Sequence, residues 1–235
     1  MEIKCVWEHN GKDTILYADN YIGAFTRGAT KEIALNKMQK EVISYLRWKN
    51  DTVPKLAAPE IIQQKESALQ ICDADSDIIF DTEKLPLGQE EYVQLKQLAL
   101  KSAYDFHELY RQIPDKDKSA LQARKTFYGS IPRTADEMYE HTKGVNAYYF
   151  GEIRVQADNE GTIYECRKRG FALLEMQPDY LQNRVYCGSY DEYWSLRKVL
   201  RRFIWHDRIH AKAMYRMAQK TFGPEAVEDV FRFGI

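Results

Sequence analysis

Two histidines four residues apart, His206 and His210, are the side chains of this chain best suited to chemistry. In an α-helix they would lie one turn apart on the same face. That face also carries apolar residues at alternating spacings of three and four, as a buried helix does, at Leu196, Val199, Phe203, Ala213 and Met217. A buried imidazole needs partners for its ring nitrogens, and a divalent metal ion would supply one.

A third histidine, His141, follows a predicted helix start at which Thr134 and Glu137 have the spacing of a capping box. It shares a stripe of three-four spacing with Met138, Val145 and Tyr148 or Tyr149, so we expect it to point inward. Helix bundles build metal sites from side chains on facing helices. The three histidines are therefore predicted to converge on one divalent ion that keeps coordination positions open, as catalytic sites do.

The alternative is that all three histidines are core residues whose nitrogens bond to backbone carbonyls or tyrosine hydroxyls. A scaffold of this kind has a filled bundle core, whereas an enzyme needs a pocket above the metal. Four tyrosines could line such a pocket: Tyr104, Tyr148, Tyr149 and Tyr215. Of the two remaining histidines, His107 is expected to flank a helix stripe, and His9 is expected to be exposed beside a turn.

The segment from His206 to His210 differs from the H-E-x-x-H motif of zinc proteases because Asp207 replaces the glutamate. The shorter carboxylate would be an unusual base, and His141 lies upstream, not downstream as the third ligand of metzincins does. We therefore do not expect a protease. Asp207 lies one position off the apolar stripe, so we expect its carboxylate to be solvated or salt-bridged. The alternative is that it orients a metal ligand or contacts the substrate.

Composition narrows the class of protein. The 235 residues are 44% hydrophobic and 29% charged, which is typical of a soluble globular protein of one or two domains. The net charge of −1 gives no reason to expect nucleic-acid or membrane binding. No signal peptide and no membrane-spanning stretch is expected. The four cysteines lack C-x-x-C spacing and predict reduced thiols in a cytoplasmic protein, at Cys5, Cys72, Cys166 and Cys187.

The first part of the chain predicts a small module of strands and one helix. Strands are expected over residues 3–7, 14–18 and 21–26, followed by a helix that begins after Thr30 and ends near Trp48. Residues 50–59 are interpreted as a connection, and further strands are expected at 68–72 and 78–80. The predicted fold class is α+β, with a β-β-β-α-β module over residues 1–86.

Residues 87–235 predict a four-helix bundle, because the apolar period changes to that of helices. The first helix begins near Glu90 and carries a stripe that ends at Ile113, before Pro114. The second follows Thr134, and the third spans Thr162 to Gln177. The fourth is expected over about residues 190–222, because Gly223 and Pro224 would end it.

The stretch from Trp194 to His210, together with the segment from Met138 to His141, resembles the DinB-like (DinB/YfiT) superfamily over residues 87–222. The resemblance implies a four-helix bundle, often dimeric, in which three histidines hold a divalent metal. Carried over, the ligands are His141, His206 and His210, and zinc or nickel is the expected ion, although histidine ligands alone do not choose between zinc, nickel and iron. Asp207 stands where the family has a glutamate, so the resemblance does not carry over to Asp207 a role as an acid or as a hydrogen-bond partner of the ligands.

Residues 24–36 are similar to the HicB-like pattern of a third strand, a G-x-T/S-x-E-E-A turn and the helix that it opens. The resemblance implies a β-β-β-α-β module known as an antitoxin half or an accessory domain, related to a ribonuclease H fold without its active site. Glu8, Asp13 and Asp19 form no convincing metal-binding set, so no nuclease activity is expected. An accessory or oligomerisation role is the plain interpretation.

Two hypotheses of function follow. The DinB-like resemblance implies a metal-dependent thiol-S-transferase, isomerase or hydrolase acting on a small molecule, with a low-molecular-weight thiol as cosubstrate and a homodimer as the assembly. The alternative is a non-enzymatic regulatory or interaction protein that binds a partner through the HicB-like module. A basic cluster at Arg197, Lys198, Arg201 and Arg202, with Arg167, Lys168 and Arg169 elsewhere, is expected to be a solvated surface, or else a rim that binds an acidic substrate.

Overall fold

The computed structural model describes residues 1–11, 13–67, 78–126 and 129–234 and confirms the α+β fold class. The N-terminal sheet contains β1 (Ile3–His9), β2 (Thr14–Ala18), β3 (Phe25–Gly28) and β4 (Pro59–Glu66) in the order β3-β2-β1-β4. Strand β1 is antiparallel to β2 and parallel to β4. Helix α1 (Lys31–Lys49) connects β3 to β4. The predicted β-β-β-α-β order is therefore present, with a different fourth strand.

Helix α1 has the ends that its sequence predicts. The Thr30 hydroxyl accepts a hydrogen bond from the Ile33 amide at its start, as an N-cap does. Asn50 ends it in the left-handed conformation, at φ 62°, a backbone region that asparagine tolerates better than most residues. One face of the sheet packs against this helix through residues such as Cys5 and Leu16.

Strand predictions were wrong at two places. Residues 21–24 form a turn in which the Ala24 amide donates to the Tyr21 carbonyl, so β3 begins only at Phe25. The connection expected at 50–59 is present up to Pro59, but strand β4, which follows it, was not predicted, because it is a polar edge strand whose side chains alternate between exposed and half-buried. Residues 78–80 are not a strand, and the strand expected at 68–72 falls outside the described residues, together with Cys72.

The bundle contains α2 (Gln89–Gln112), α3 (Ala135–Glu152), α4 (Ile163–Glu175) and α5 (Leu196–Phe222). Thr134 and Thr162 each form a complete capping box, which confirms the predicted starts of α3 and α4. Helix α5 packs against α2 and α3, and α4 packs against the same two helices. Two short hairpins complete the fold, formed by β5 (Lys125–Thr126) with β6 (Gly129–Ser130) and by β7 (Tyr186–Cys187) with β8 (Tyr193–Trp194).

The start of α5 differs from the predicted start near residue 190. Tyr190 has a left-handed backbone at φ 59°, and β8 follows as an extended segment that pairs with β7. The helix begins after Ser195, whose hydroxyl accepts a hydrogen bond from the Lys198 amide. The apolar period alone did not reveal this serine cap.

The core is continuous between the N-terminal module and the bundle. The sheet face opposite α1 carries Val6, Ile15 and Phe25, which pack with Trp205 of α5. Helix α5 therefore has bundle helices on one side and the sheet on the other, and the predicted boundary at residue 86 lies in the link between two parts that share a core. Among the described cysteines, Cys5 and Cys166 are buried free thiols and Cys187 is an exposed one.

Helix α4 approaches α3 at Gly170, where a Cβ atom would lie 2.1 Å from a ring carbon of Phe150. We expect Gly170→Ala to lower the free energy of unfolding by about 1–3 kcal/mol, because the ring must move within a packed core. Urea denaturation measures the change. Gly144→Ala in α3 is the matched control: its Cβ meets no atom within 4 Å, so it should stabilise by roughly 0.5–1 kcal/mol. Equal effects of the two variants would contradict the close packing.

Candidate metal centre

The structure brings the three predicted histidines together at the contact between α3 and α5. The ring centroids of His206 and His210 are 4.4 Å apart, and His141 lies 5.2 Å from the first and 4.7 Å from the second. One ring nitrogen from each histidine lies within 4.8 Å of the others. Nitrogens that bind zinc lie about 2.0–2.1 Å from the ion, so small ring rotations would bring all three onto one ion.

The three rings differ in their exposure. His206 is buried, with 7% of its surface exposed, whereas His210 is half-buried and His141 is exposed. The prediction that His141 points inward was therefore wrong. The buried stripe of α3 runs through Met138, Thr142 and Asn146, so His141 flanks that stripe and contacts the other two rings from the solvent side. A ligand could consequently approach the cluster from its His141 side.

Burial keeps the imidazoles neutral. It lowers the pKa of His206 well below 6.5, and the other two histidines lower it further. Burial, His141 and the positive charge of Arg27 lower the pKa of His210 to about 3. Burial also lowers the pKa of His141, whose outer side remains exposed. All three rings therefore present lone pairs near neutral pH, the protonation state that a metal requires.

One buried nitrogen of His206 lacks the partner that an ordinary core histidine has. Nδ1 of His206 is buried and has no hydrogen-bond partner among the described residues. A core histidine would have satisfied that nitrogen, as His107 does: its Nδ1 lies 2.8 Å from the Tyr139 hydroxyl. His107 is half-buried beside the α2 stripe, and His9 is half-buried against Trp7 where exposure was expected.

The surroundings of the cluster are aromatic on the buried side. The Tyr149 ring meets His206 edge-on, with centroids 6.0 Å apart. Of the other tyrosines proposed to line a pocket, Tyr104 and Tyr148 are exposed, whereas Tyr215 is buried. A cleft of about 610 Å³ is lined by Ile209, Lys212 and Ala213, which flank His210 on α5.

Asp207 does not join the histidines. It is fully buried on another side of α5, where its carboxylate pairs with the Arg167 guanidinium and accepts a hydrogen bond of 2.5 Å from the Ser102 hydroxyl. The expected salt bridge is present, yet it lies inside the protein. Asp207 therefore joins α5 to α2 and α4, and it is not among the side chains that could share an ion with the histidines.

The basic cluster on α5 is buried as well, so the prediction of a solvated surface was wrong for most of it. Lys198, Arg201 and Arg202 are buried because α5 has neighbours on nearly every side. The Lys198 ammonium lies 2.7 Å from a Glu192 carboxylate oxygen, and Arg201 pairs with Glu83. These cations are used within the protein, so they form no rim for an acidic substrate.

No family model, curated protein or solved structure matches this chain. Among the described residues, no helix is both long and apolar enough to cross a membrane.

Proposed function

We propose that this chain is a metal-dependent enzyme of the DinB-like type, with a divalent zinc or nickel ion held by His141, His206 and His210. The observation that carries the proposal is the convergence of three neutral imidazoles, each of which places one ring nitrogen within 4.8 Å of the others. Neutral imidazole is the form in which histidine binds a metal ion, so the three side chains are ready to act as ligands near neutral pH. The donor set fits a divalent ion of the zinc and nickel class.

The chain's own residues prepare the site in three ways. The packing of α5 on two helices and the sheet fixes the positions of His206 and His210. Tyr149 shields the inner side of His206 from water. The exposed side of His141 leaves access for a substrate. When bound, the ion would lower the pKa of a coordinated thiol or water, which supplies a nucleophile near neutral pH.

The substrate class in this proposal is a small molecule, with a low-molecular-weight thiol as cosubstrate and transfer, isomerisation or hydrolysis as the reaction. The homodimer implied by the DinB-like resemblance belongs to the same proposal, and light scattering on the purified chain measures it. The N-terminal module is proposed as an accessory unit, because α1 covers one face of its sheet and Trp205 packs on the other.

The decisive experiment is elemental analysis of the tag-free protein beside the His206→Ala/His210→Ala variant. We expect close to one divalent ion per chain in the wild type. In the variant, the affinity for the metal ion should fall by more than ~100-fold, because the loss of a residue that only hydrogen-bonds to a metal ligand already lowers metal affinity by ~10–100-fold. His107→Ala is the matched control, because it removes an imidazole from the same bundle without touching the cluster.

A wild-type protein that is metal-free and takes up neither zinc nor nickel in calorimetric titrations would overturn the proposal. Equal metal content in the double variant would also overturn it, provided that circular dichroism shows a folded chain. Stoichiometric metal without turnover in thiol-dependent screens would instead favour the regulatory alternative, with the histidines as a metal sensor.

A further inference from the structure

A cleft of about 610 Å³ lies between β3, α1 and α5, and Arg124 and Phe233 contribute to its walls. This volume is within the range of ordinary small-molecule sites, roughly 300–1,000 Å³. Its α5 wall consists of residues on either side of His210, and Arg27 of β3 both lines the cleft and acts electrostatically on the His210 ring. The cleft is therefore a neighbour of the histidine cluster.

The charge of this cleft differs sharply from that of the whole chain. One carboxylate, that of Glu41, faces six cationic side chains: Arg27, Lys37, Lys40, Arg124, Lys212 and Arg216. The lining thus has a formal excess of five positive charges, whereas the chain has a net charge of −1. Such a concentration of one sign in a concave surface raises the local concentration of the opposite ion.

The one carboxylate is already engaged. Glu41 accepts hydrogen bonds of 2.8 Å from both Arg208 and Lys212, so it has little capacity left for the remaining cations. In the described part of the chain, no ion pair is found for Lys40, Arg124 or Arg216. The protein therefore leaves several cations at this cleft without internal compensation, in contrast to the paired cations buried on the rest of α5.

The lining also has an apolar part, formed by Phe25, Ile209 and Phe233. The Lys212 ammonium lies 5.3 Å from the centroid of the Phe25 ring and 4.9 Å from that of Phe233, so charge and apolar surface adjoin. A multiply charged oxyanion suits several lysines and arginines better than a single carboxylate does, and both residue types bind phosphate. The aromatic side would contact the remainder of an organic molecule.

We propose that this cleft binds a small molecule carrying a phosphate group and places it beside the histidine cluster. Binding of the phosphate follows from the cleft alone, whereas its identity as substrate rests on the proposed metal-dependent function. The cleft lies between the N-terminal module and the bundle, so it gives the N-terminal module a part in ligand binding.

The test is calorimetric titration of inorganic phosphate into metal-free protein at constant ionic strength, with acetate as the carboxylate comparison. Lys40→Ala/Arg216→Ala should weaken phosphate binding by at least about tenfold, because charge-assisted hydrogen bonds are lost. Lys168→Ala/Lys220→Ala removes two exposed cations outside the cleft and should leave the affinity within about twofold. Both variants should bind zinc as the wild type does, which separates this test from that of the metal centre.

Equal weakening in the two double variants would overturn the proposal, since it would show only a general response to charge. So would the absence of phosphate binding at millimolar concentration, or acetate binding as tight as phosphate. A single-stranded oligonucleotide that binds far more tightly than phosphate, and depends on Lys40 and Arg216, would assign the surface to nucleic acid instead.

Discussion

Asp207→Ala is expected to lower the free energy of unfolding by about 3–5 kcal/mol, because it leaves the Arg167 guanidinium buried without its counter-charge. Both side chains have 0% of their surface exposed. The guanidinium donates to both carboxylate oxygens and to the Ala99 carbonyl, and it lies 4.2 Å from the centroid of the Phe203 ring. Urea denaturation followed by circular dichroism measures the loss.

The control for this prediction is Glu108→Ala, which removes an ion pair with Arg111 on the exposed side of α2. That change should cost at most about 1 kcal/mol, as surface pairs do. Asp207→Leu/Arg167→Met should recover most of the stability, because buried pairs replaced by apolar residues of similar volume are often neutral. An Asp207→Ala protein as stable as the wild type would contradict the buried pair.

A second substitution at this position separates a structural role of Asp207 from a catalytic one. Asp207→Asn keeps the size of the side chain and removes the charge, and we expect its folded fraction to bind zinc with wild-type stoichiometry. A carboxylate that positioned a metal ligand would instead change metal affinity by ~10–100-fold. The buried pair with Arg167 predicts the first result.

The comparison with the H-E-x-x-H motif illustrates where sequence reasoning reached its limit. Spacing correctly placed His206 and His210 together, because a four-residue step fixes their relation on any α-helix. Spacing does not tell which helix faces the residues between them. Arg167 lies on α4, distant in sequence, and only the packing of α4 near α5 shows that Asp207 faces an arginine.

Helix starts were predictable where a side chain caps the helix locally. The capping boxes at Thr134 and Thr162 are contained within four residues, so no tertiary knowledge is needed. Strand β4 lacks such a signal: an edge strand needs few apolar residues, and its pairing with β1 is distant in sequence. The burial of Arg201 and Lys198 could not be predicted from the sequence either, because charged residues are almost never buried unless they are paired.

The exposure of His141 was missed for a related reason. Periodicity identifies which residues share a face, but the centre of that face depends on where the neighbouring helices lie. In α3 the centre is at Thr142, one residue beyond the histidine. The exposure of His141 supports the proposed function, because it leaves a route from solvent to the cluster.

The ion pairs between α1 and α5 predict a large, pH-dependent effect of Glu41→Gln. Glu41 is nearly buried and receives hydrogen bonds from Arg208, which has 0% of its surface exposed, and from Lys212. Removing the carboxylate should cost about 3 kcal/mol near pH 7, the lower end of the range for a broken buried pair, because the amide oxygen still accepts one hydrogen bond. Urea denaturation at pH 7 measures this loss.

The pH dependence of the free energy of unfolding, compared between the wild type and Glu41→Gln, gives the sharper test. Burial alone would raise the pKa of Glu41, but Arg208 and Lys212 outweigh it and hold the pKa below 4.5. A carboxyl whose pKa is lowered by folding stabilises the protein fully above its unfolded value and loses that contribution as the pH falls through its folded value. Wild type should therefore lose more stability than Glu41→Gln as the pH falls below about 4.5. Glu60→Gln, at an exposed position of β4, should follow the wild-type curve, and parallel curves for all three proteins would contradict the assigned role of Glu41.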